Sequence, residues 1–198
     1  VGALVVEDID DDPQFTARGV APGESRAVAT AADIKGLKIR TTPNPAHIRA
    51  FQLLGAVPTP MAFTELFSAL ETGAVDGQEN PVTLILNAKF AEVQKHLSLT
   101  RHAFTTGPVV MNKTKFDAMA PDLQKVLTET AIELAGVQRQ MNEDTEGSSL
   151  AALKKAGMQA VENPDRESFS KIVAAEVEKE FVTKFGGETL DAIKKAAV

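Results

Sequence analysis

Cysteine is absent from this 198-residue chain, so it has no disulfide, no thiolate nucleophile and no thiolate metal ligand. Tyrosine and tryptophan are absent as well, and nothing in the sequence gives a physical reason for that lack. No apolar run reaches the roughly 18 to 20 residues that span a bilayer. Positive charge is in deficit: 21 lysines and arginines face 27 acidic residues, a net charge of −6. That balance argues against nucleic acid as a partner, because a basic patch supplies most of such affinity. It is compatible with an anionic small ligand, since one or two buried arginines reverse the local field.

Chemistry-bearing motifs are also missing. There is no phosphate loop, dinucleotide fingerprint or nucleophile elbow. The three histidines, His47, His96 and His102, include no pair at metal-ligand spacing, and H-E-x-x-H does not occur. Asp8, Asp10 and Asp12 are spaced like the first ligands of an EF-hand. Pro13 then stands where the turn needs glycine, and Gly19 where a bidentate glutamate belongs, so the run reads as a solvated acidic loop. No metal and no cofactor are expected, and an enzyme reading has no chemical anchor beyond the neighbouring acids Asp76 and Glu79.

What is present is an ordinary globular composition, 43% hydrophobic and 24% charged, long enough to bury a core. Residues 1–6 read as a short strand, since no basic region or cleavage site makes them a signal peptide. The abrupt start reads as if sequence were missing before it. Residues 7–13 and 21–30 read as loops. A strand–helix alternation then begins. Strands are predicted at 37–40, 56–59 and 74–76. Between them lie a helix opened by Asn44 and Pro45 and closed at Gly55, and a second helix capped by Thr64 and closed at Gly73. This βαβαβ unit predicts a parallel sheet covered by helices. A helix at 82–90, strands at 97–100 and 104–111 and a short helix capped by Asn112 follow. From Pro121 the apolar residues Leu123, Val126, Leu127, Ala131, Leu134, Val137 and Met141 recur at helical spacing. The pattern runs to about residue 155, with Gly136 a candidate bend. Such a helix is about 50 Å long, too long for one small lobe, so it should cross between two. A strand at 158–161 and helices at 165–185 and 188–197 close the chain.

Arg40 is the informative charge. It stands at the carboxyl end of the strand Leu37-Lys38-Ile39, where ligands of open α/β sheets bind. Its guanidinium fork matches a carboxylate with two parallel hydrogen bonds. A structural ion pair with Asp76 or Glu79 is the competing reading, and strand-end position alone leaves both open. Asn80 could donate an amide to the same carboxylate, or cap the helix after Pro81. Phe63 could cover an apolar ligand face at that rim, or belong to the core. His102 lies just after a strand end, though a structural role is the default for it as for His47 and His96.

Three runs carry a family resemblance: Asp33-Ile34-Lys35-Gly36-Leu37-Lys38-Ile39-Arg40, Gly55-Ala56-Val57-Pro58-Thr59-Pro60-Met61-Ala62-Phe63, and Gly73-Ala74-Val75-Asp76-Gly77-Gln78-Glu79-Asn80-Pro81. Together with Glu92-Val93-Gln94-Lys95-His96 and Pro121-Asp122-Leu123-Gln124-Lys125, they resemble the DctP-type solute-binding proteins of TRAP transporters, from about Arg18 to the C-terminus. The resemblance implies a periplasmic, monomeric, two-lobed α/β protein of the periplasmic-binding-protein class. It implies capture of a small organic carboxylate and delivery to TRAP membrane permease subunits. The arginine matching Arg40 forms the carboxylate salt bridge, the asparagine matching Asn80 hydrogen-bonds the ligand, and the phenylalanine matching Phe63 packs on it. Arg18 is the best match to a second arginine, and His102 matches a position near the cleft. The Gln-Glu-Asn-Pro form points to the metal-free branch. Family members are longer, and the opening part of their first lobe has no counterpart here. Residues 18–105 and 147–198 then correspond to the second, ligand-gripping lobe. Residues 1–17 and 106–146 correspond to hinge strands and a partial first lobe.

Overall fold

The computed structural model describes residues 3–5, 10–11, 13–17, 27–103 and 105–196, with side chains described over 27–103 and 107–195. Its strands are β1 (Ala3–Val5), β2 (Asp10–Asp11), β3 (Pro13–Ala17), β4 (Lys38–Thr41), β5 (Val57–Pro60), β6 (Gly77–Pro81), β7 (His96–Ser98), β8 (Thr105–Thr106), β9 (Val110–Asn112) and β10 (Gln159–Val161). The helices are α1 (Pro45–Leu53), α2 (Phe63–Thr72), α3 (Val82–Asn87), α4 (Lys113–Asp117), α5 (Pro121–Lys155), α6 (Arg166–Phe185) and α7 (Glu188–Ala196).

The main sheet has the strand order β10-β7-β3-β6-β4-β5. Its strands all run parallel except β3, which is antiparallel to both β6 and β7. The βαβαβ reading of residues 38–81 therefore holds. Local chemistry explains its punctuation. Asn44 Oδ1 accepts the Ala46 amide at 2.9 Å, and Pro45 opens α1. Gly55 follows α1 at φ +77°, where a side chain would be strained and its Cβ would also crowd Lys35 Cγ at 3.2 Å.

Several boundaries differ from the sequence reading. The third strand is β6, not residues 74–76, which form a turn. Its core is the polar run Gln78-Glu79-Asn80, so apolar patterning could not reveal it. Helix α2 starts at Phe63, one residue before the expected Thr64 cap, because Glu65 Oε2 accepts the Ala62 amide at 3.2 Å. The strand expected at 104–111 is split into β8 and β9 around Gly107-Pro108, and Pro108 has no N–H for a ladder. Helix α3 stops at Asn87 and is followed by Lys89 in the left-handed region and a 3-10 turn at Phe90–Glu92. Within the acidic loop, the β2 backbone pairs with β8, Asp10 against Thr106. Residues 13–17, grouped on sequence with the hinge strands, form an interior strand of the main sheet.

The sheet separates two apolar clusters. One holds Ile34, Leu37, Ile39, Phe51 and Phe169, beneath α1 and α6. The other holds Leu66, Leu70, Ile85, Phe90, Leu97 and Leu153, beneath α2, α3 and the C-terminal end of α5. Burying one such side chain contributes about 1.5 to 3 kcal/mol.

Helix α5 runs unbroken through Gly136 for 35 residues, as the spacing predicts. Its C-terminal part joins the second cluster, and Ala135 in its middle is buried as well. Leu153 is fully buried, whereas Leu127 is 44% exposed and Leu123, Val126, Leu134, Val137 and Met141 are more so. With Val110 and Met111 of β9, this apolar face borders a groove of about 480 Å³.

Candidate functional site

Period-two alternation assigns faces at the C-terminal edge of the sheet. Ile39 is in register with Gly77, and Arg40 with Gln78. Arg40, Gln78 and Asn80 therefore share one face, while Ile39, Thr41 and Glu79 share the other. Ile39 lies in the α1/α6 cluster, which puts Arg40 on the α2/α3 side.

The Arg40 side chain donates from Nε and Nη2 to the Met61 carbonyl oxygen, at 3.2 and 3.0 Å. Its Cζ stands 6.0 Å from the Phe63 ring centroid, within cation–π range, and Phe63 in turn lies 6.0 Å from Phe90. Arg40 is only 4% exposed. Burial pushes its pKa below the ordinary arginine value, and the charge of Glu79 offsets part of that. Met61 thus fixes one edge of the fork. Among the described residues, the other three N–H groups have no hydrogen-bond partner.

Asn80 Nδ2 donates to Gln78 Oε1, along the same face of β6. The helix-cap alternative is not taken up, since the N-cap of α3 is Pro81 and has no side-chain cap. Phe63 is 41% exposed although its ring touches Phe90, so it belongs half to the core and half to the rim.

His102 engages the opposite side. Its ring packs edge-on against Phe51 at 5.7 Å, and its Nδ1 lies 2.8 Å from Thr100 Oγ1. Its Nε2 is 3.8 Å from Glu79 Oε2, while His47 Nδ1 is 3.9 Å from Glu79 Oε1. Glu79 is buried at 4% exposed. The two histidines flank this carboxylate on either side. The competing ion pair of Asp76 with Arg40 does not form: Asp76 Oδ2 accepts the Lys38 amide at 2.8 Å, at the far end of β4. Arg18 lies outside the described residues. Ala17, before it, is in register with Gly77 and His96 at the N-terminal ends of β6 and β7.

The structure brings Arg40 and Phe63 together, and three neighbouring groups went unread in the sequence. Gln78 is fully buried and holds Asn80, the Met61 carbonyl anchors Arg40, and His47 flanks Glu79. A polar run inside a strand was the available signal for Gln78, because alternation puts it beside Arg40. The Met61 carbonyl leaves no trace in a side-chain pattern. Among the described residues there is no cluster of acidic residues or histidines that could hold a metal ion, and no helix is long and apolar enough to cross a membrane.

Residues 17–184 match the model of bacterial extracellular solute-binding protein, family 7 (DctP). The chain is 42% identical over 172 residues to the 2,3-diketo-L-gulonate-binding periplasmic protein YiaO of Escherichia coli K12, covering 85% of this chain and 52% of that one. It superposes with a TM-score of 0.87 and 38% identity on a TRAP periplasmic solute-binding protein from Polaromonas sp. JS666 bound to D-erythronate. That match covers 97% of this chain and 61% of the other. A Bordetella TRAP periplasmic solute-binding protein, with density assigned to pantoate, gives a TM-score of 0.85 at 34% identity, over 97% and 62% of the two chains. The chain spans about half the length of the curated relatives it matches.

Proposed function

The chain belongs to the DctP family of bacterial extracellular solute-binding proteins, and from that membership we propose that it forms the ligand-gripping part of a periplasmic protein that captures a small organic carboxylate. The captured acid passes to the membrane permease subunits of a TRAP transporter. The observation that carries this reading is Arg40. A guanidinium almost removed from water has one edge fixed by the Met61 carbonyl and its other donors uncommitted, at the carboxyl end of a parallel strand. Desolvation strengthens a charge-assisted pair, and a planar fork selects a carboxylate. Asn80, held by Gln78 on the same face, supplies an amide. Phe63 covers an apolar flank of the ligand. Relatives named for a keto sugar acid, erythronate and pantoate agree with an acid ligand.

The lobe assignment follows the same logic. Residues 18–105 and 147–198 form the gripping lobe, and the exposed face of α5 with β9 is where the rest of the longer protein packs. Closure of two lobes over Arg40 would exclude the remaining water. The enzyme alternative has lost its paired acids, because Asp76 is committed to the Lys38 backbone and Glu79 faces the other side of the sheet. The reading therefore makes the protein a binder and not a catalyst.

Arg40→Lys tests the proposal, made in the longer polypeptide that carries both lobes and titrated calorimetrically with D-erythronate and pantoate. Lysine keeps the charge but loses the fork, so affinity should fall by about 2 kcal/mol or more, roughly 30-fold. Unchanged affinity in a folded variant would reduce Arg40 to a strut for Met61 and sink the reading.

A further inference from the structure

A second cavity, of about 280 Å³, lies between α1 and α6 on the α1/α6 side of the sheet. Its walls are apolar: Phe51 from α1 and Leu54 just after it, Phe169 and Val173 from α6. Its rim carries two arginines, Arg101 and Arg166, with His102 beside them. Phe51 and Phe169 belong to the cluster beneath α1 and α6, whereas the Arg40 guanidinium and Phe63 stand on the other side. The cavity is therefore separate from the carboxylate grip and does not depend on the transport reading.

We propose that this cavity is a second ligand site, which takes a small acid with an apolar body. The walls bury the body, and the rim receives the carboxylate. Arg166 carries the recognition: Nη2 donates to the Leu99 carbonyl at 3.2 Å, and among the described residues its remaining donors have no hydrogen-bond partner. That single bond aims the fork without consuming it. Arg101, bound to Glu146 at 2.9 Å, lines the same mouth. Glu146, beside the rim, is already engaged by Arg101, so among the described residues lining the cavity Arg166 is the cation left without a carboxylate partner. A volume at the lower end of ligand sites, which begin near about 300 Å³, limits the occupant to one ring or a short alkyl chain. The two phenylalanines favour an aromatic body.

The probe is 3-phenylpropanoate, titrated into the 198-residue chain and followed by amide chemical shifts. Saturable shifts are expected at Phe51, His102 and Phe169. The uncharged 3-phenylpropanamide and the variant Arg166→Gln should each weaken binding about fivefold, the size of a partly exposed charge-assisted contact. Ala50→Phe, which fills the cavity from α1, should abolish saturation. The proposal is overturned if no saturation occurs, if the shifts centre on Arg40, Phe63 and Asn80, or if they survive Ala50→Phe. Should that variant not fold, equal affinity of Arg166→Gln and the parent chain overturns it alone.

Discussion

Two leucines on one helix should respond oppositely to the same substitution. Leu153, near the C-terminal end of α5, is fully buried in the cluster with Ile85 and Phe90. Leu153→Ala removes apolar burial and leaves a cavity that rigid neighbours cannot fill, which costs about 3 kcal/mol within a usual span of 2 to 5. For a chain of this length each kcal/mol lowers the melting temperature by about 2 to 4 °C, so the expected fall is roughly 6 to 12 °C. Leu127 lies 26 positions earlier in the numbering, on the same helix, but is 44% exposed. Leu127→Ala should stay within about 0.5 kcal/mol, or some 2 °C at most. Thermal unfolding of the 198-residue chain, followed by circular dichroism, reads both. Equal shifts for the two variants would refute the packing argument. The same pair in the longer protein then tests the lobe assignment. There Leu127→Ala should cost at least about 1 kcal/mol, because its face is covered.

Asp165 Oδ1 accepts the Ser168 amide at the start of α6; Asp165→Ala should lower stability by about 1 kcal/mol, seen as a fall of roughly 2 to 4 °C in melting temperature. Burial holds the pKa of His96 below the ordinary histidine value. The unfolded chain then binds a proton that the folded chain refuses, so stability is full above about pH 6.5 and is lost progressively as the pH falls below it. His96→Gln should flatten that part of the stability curve, and an unchanged slope would exclude His96 as its source. The 198-residue chain alone should bind D-erythronate or pantoate no better than millimolar, because a carboxylate left open to water gains only about 0 to 1 kcal/mol from its arginine. Micromolar binding by calorimetry would contradict this.

The residues that announced the fold did so through local rules. Asn44, Pro45 and Gly55 bracketed α1, and Pro121 with the apolar spacing after it marked α5 to about its observed end. Where backbone pairing or reciprocal capping decided the outcome, local rules failed. Gln78-Glu79-Asn80 became a strand because neighbours on both sides supply its hydrogen bonds, and Thr64 lost the cap of α2 to Glu65.

Sequence alone determined that Arg40 stands at a strand end, with Phe63 and Asn80 at spacings that resemble a carboxylate-binding family. Tertiary structure alone decided what those residues face. Alternation across β4 and β6 put Arg40 and Asn80 on one side of the sheet and sent Glu79 to the other, between His47 and His102. The Met61 carbonyl, remote in sequence and silent in any side-chain pattern, took one edge of the guanidinium. The reason is general. Residue type and spacing encode what a group can bind, but its desolvation and the partners that compete for it are set by chain segments that only folding brings together.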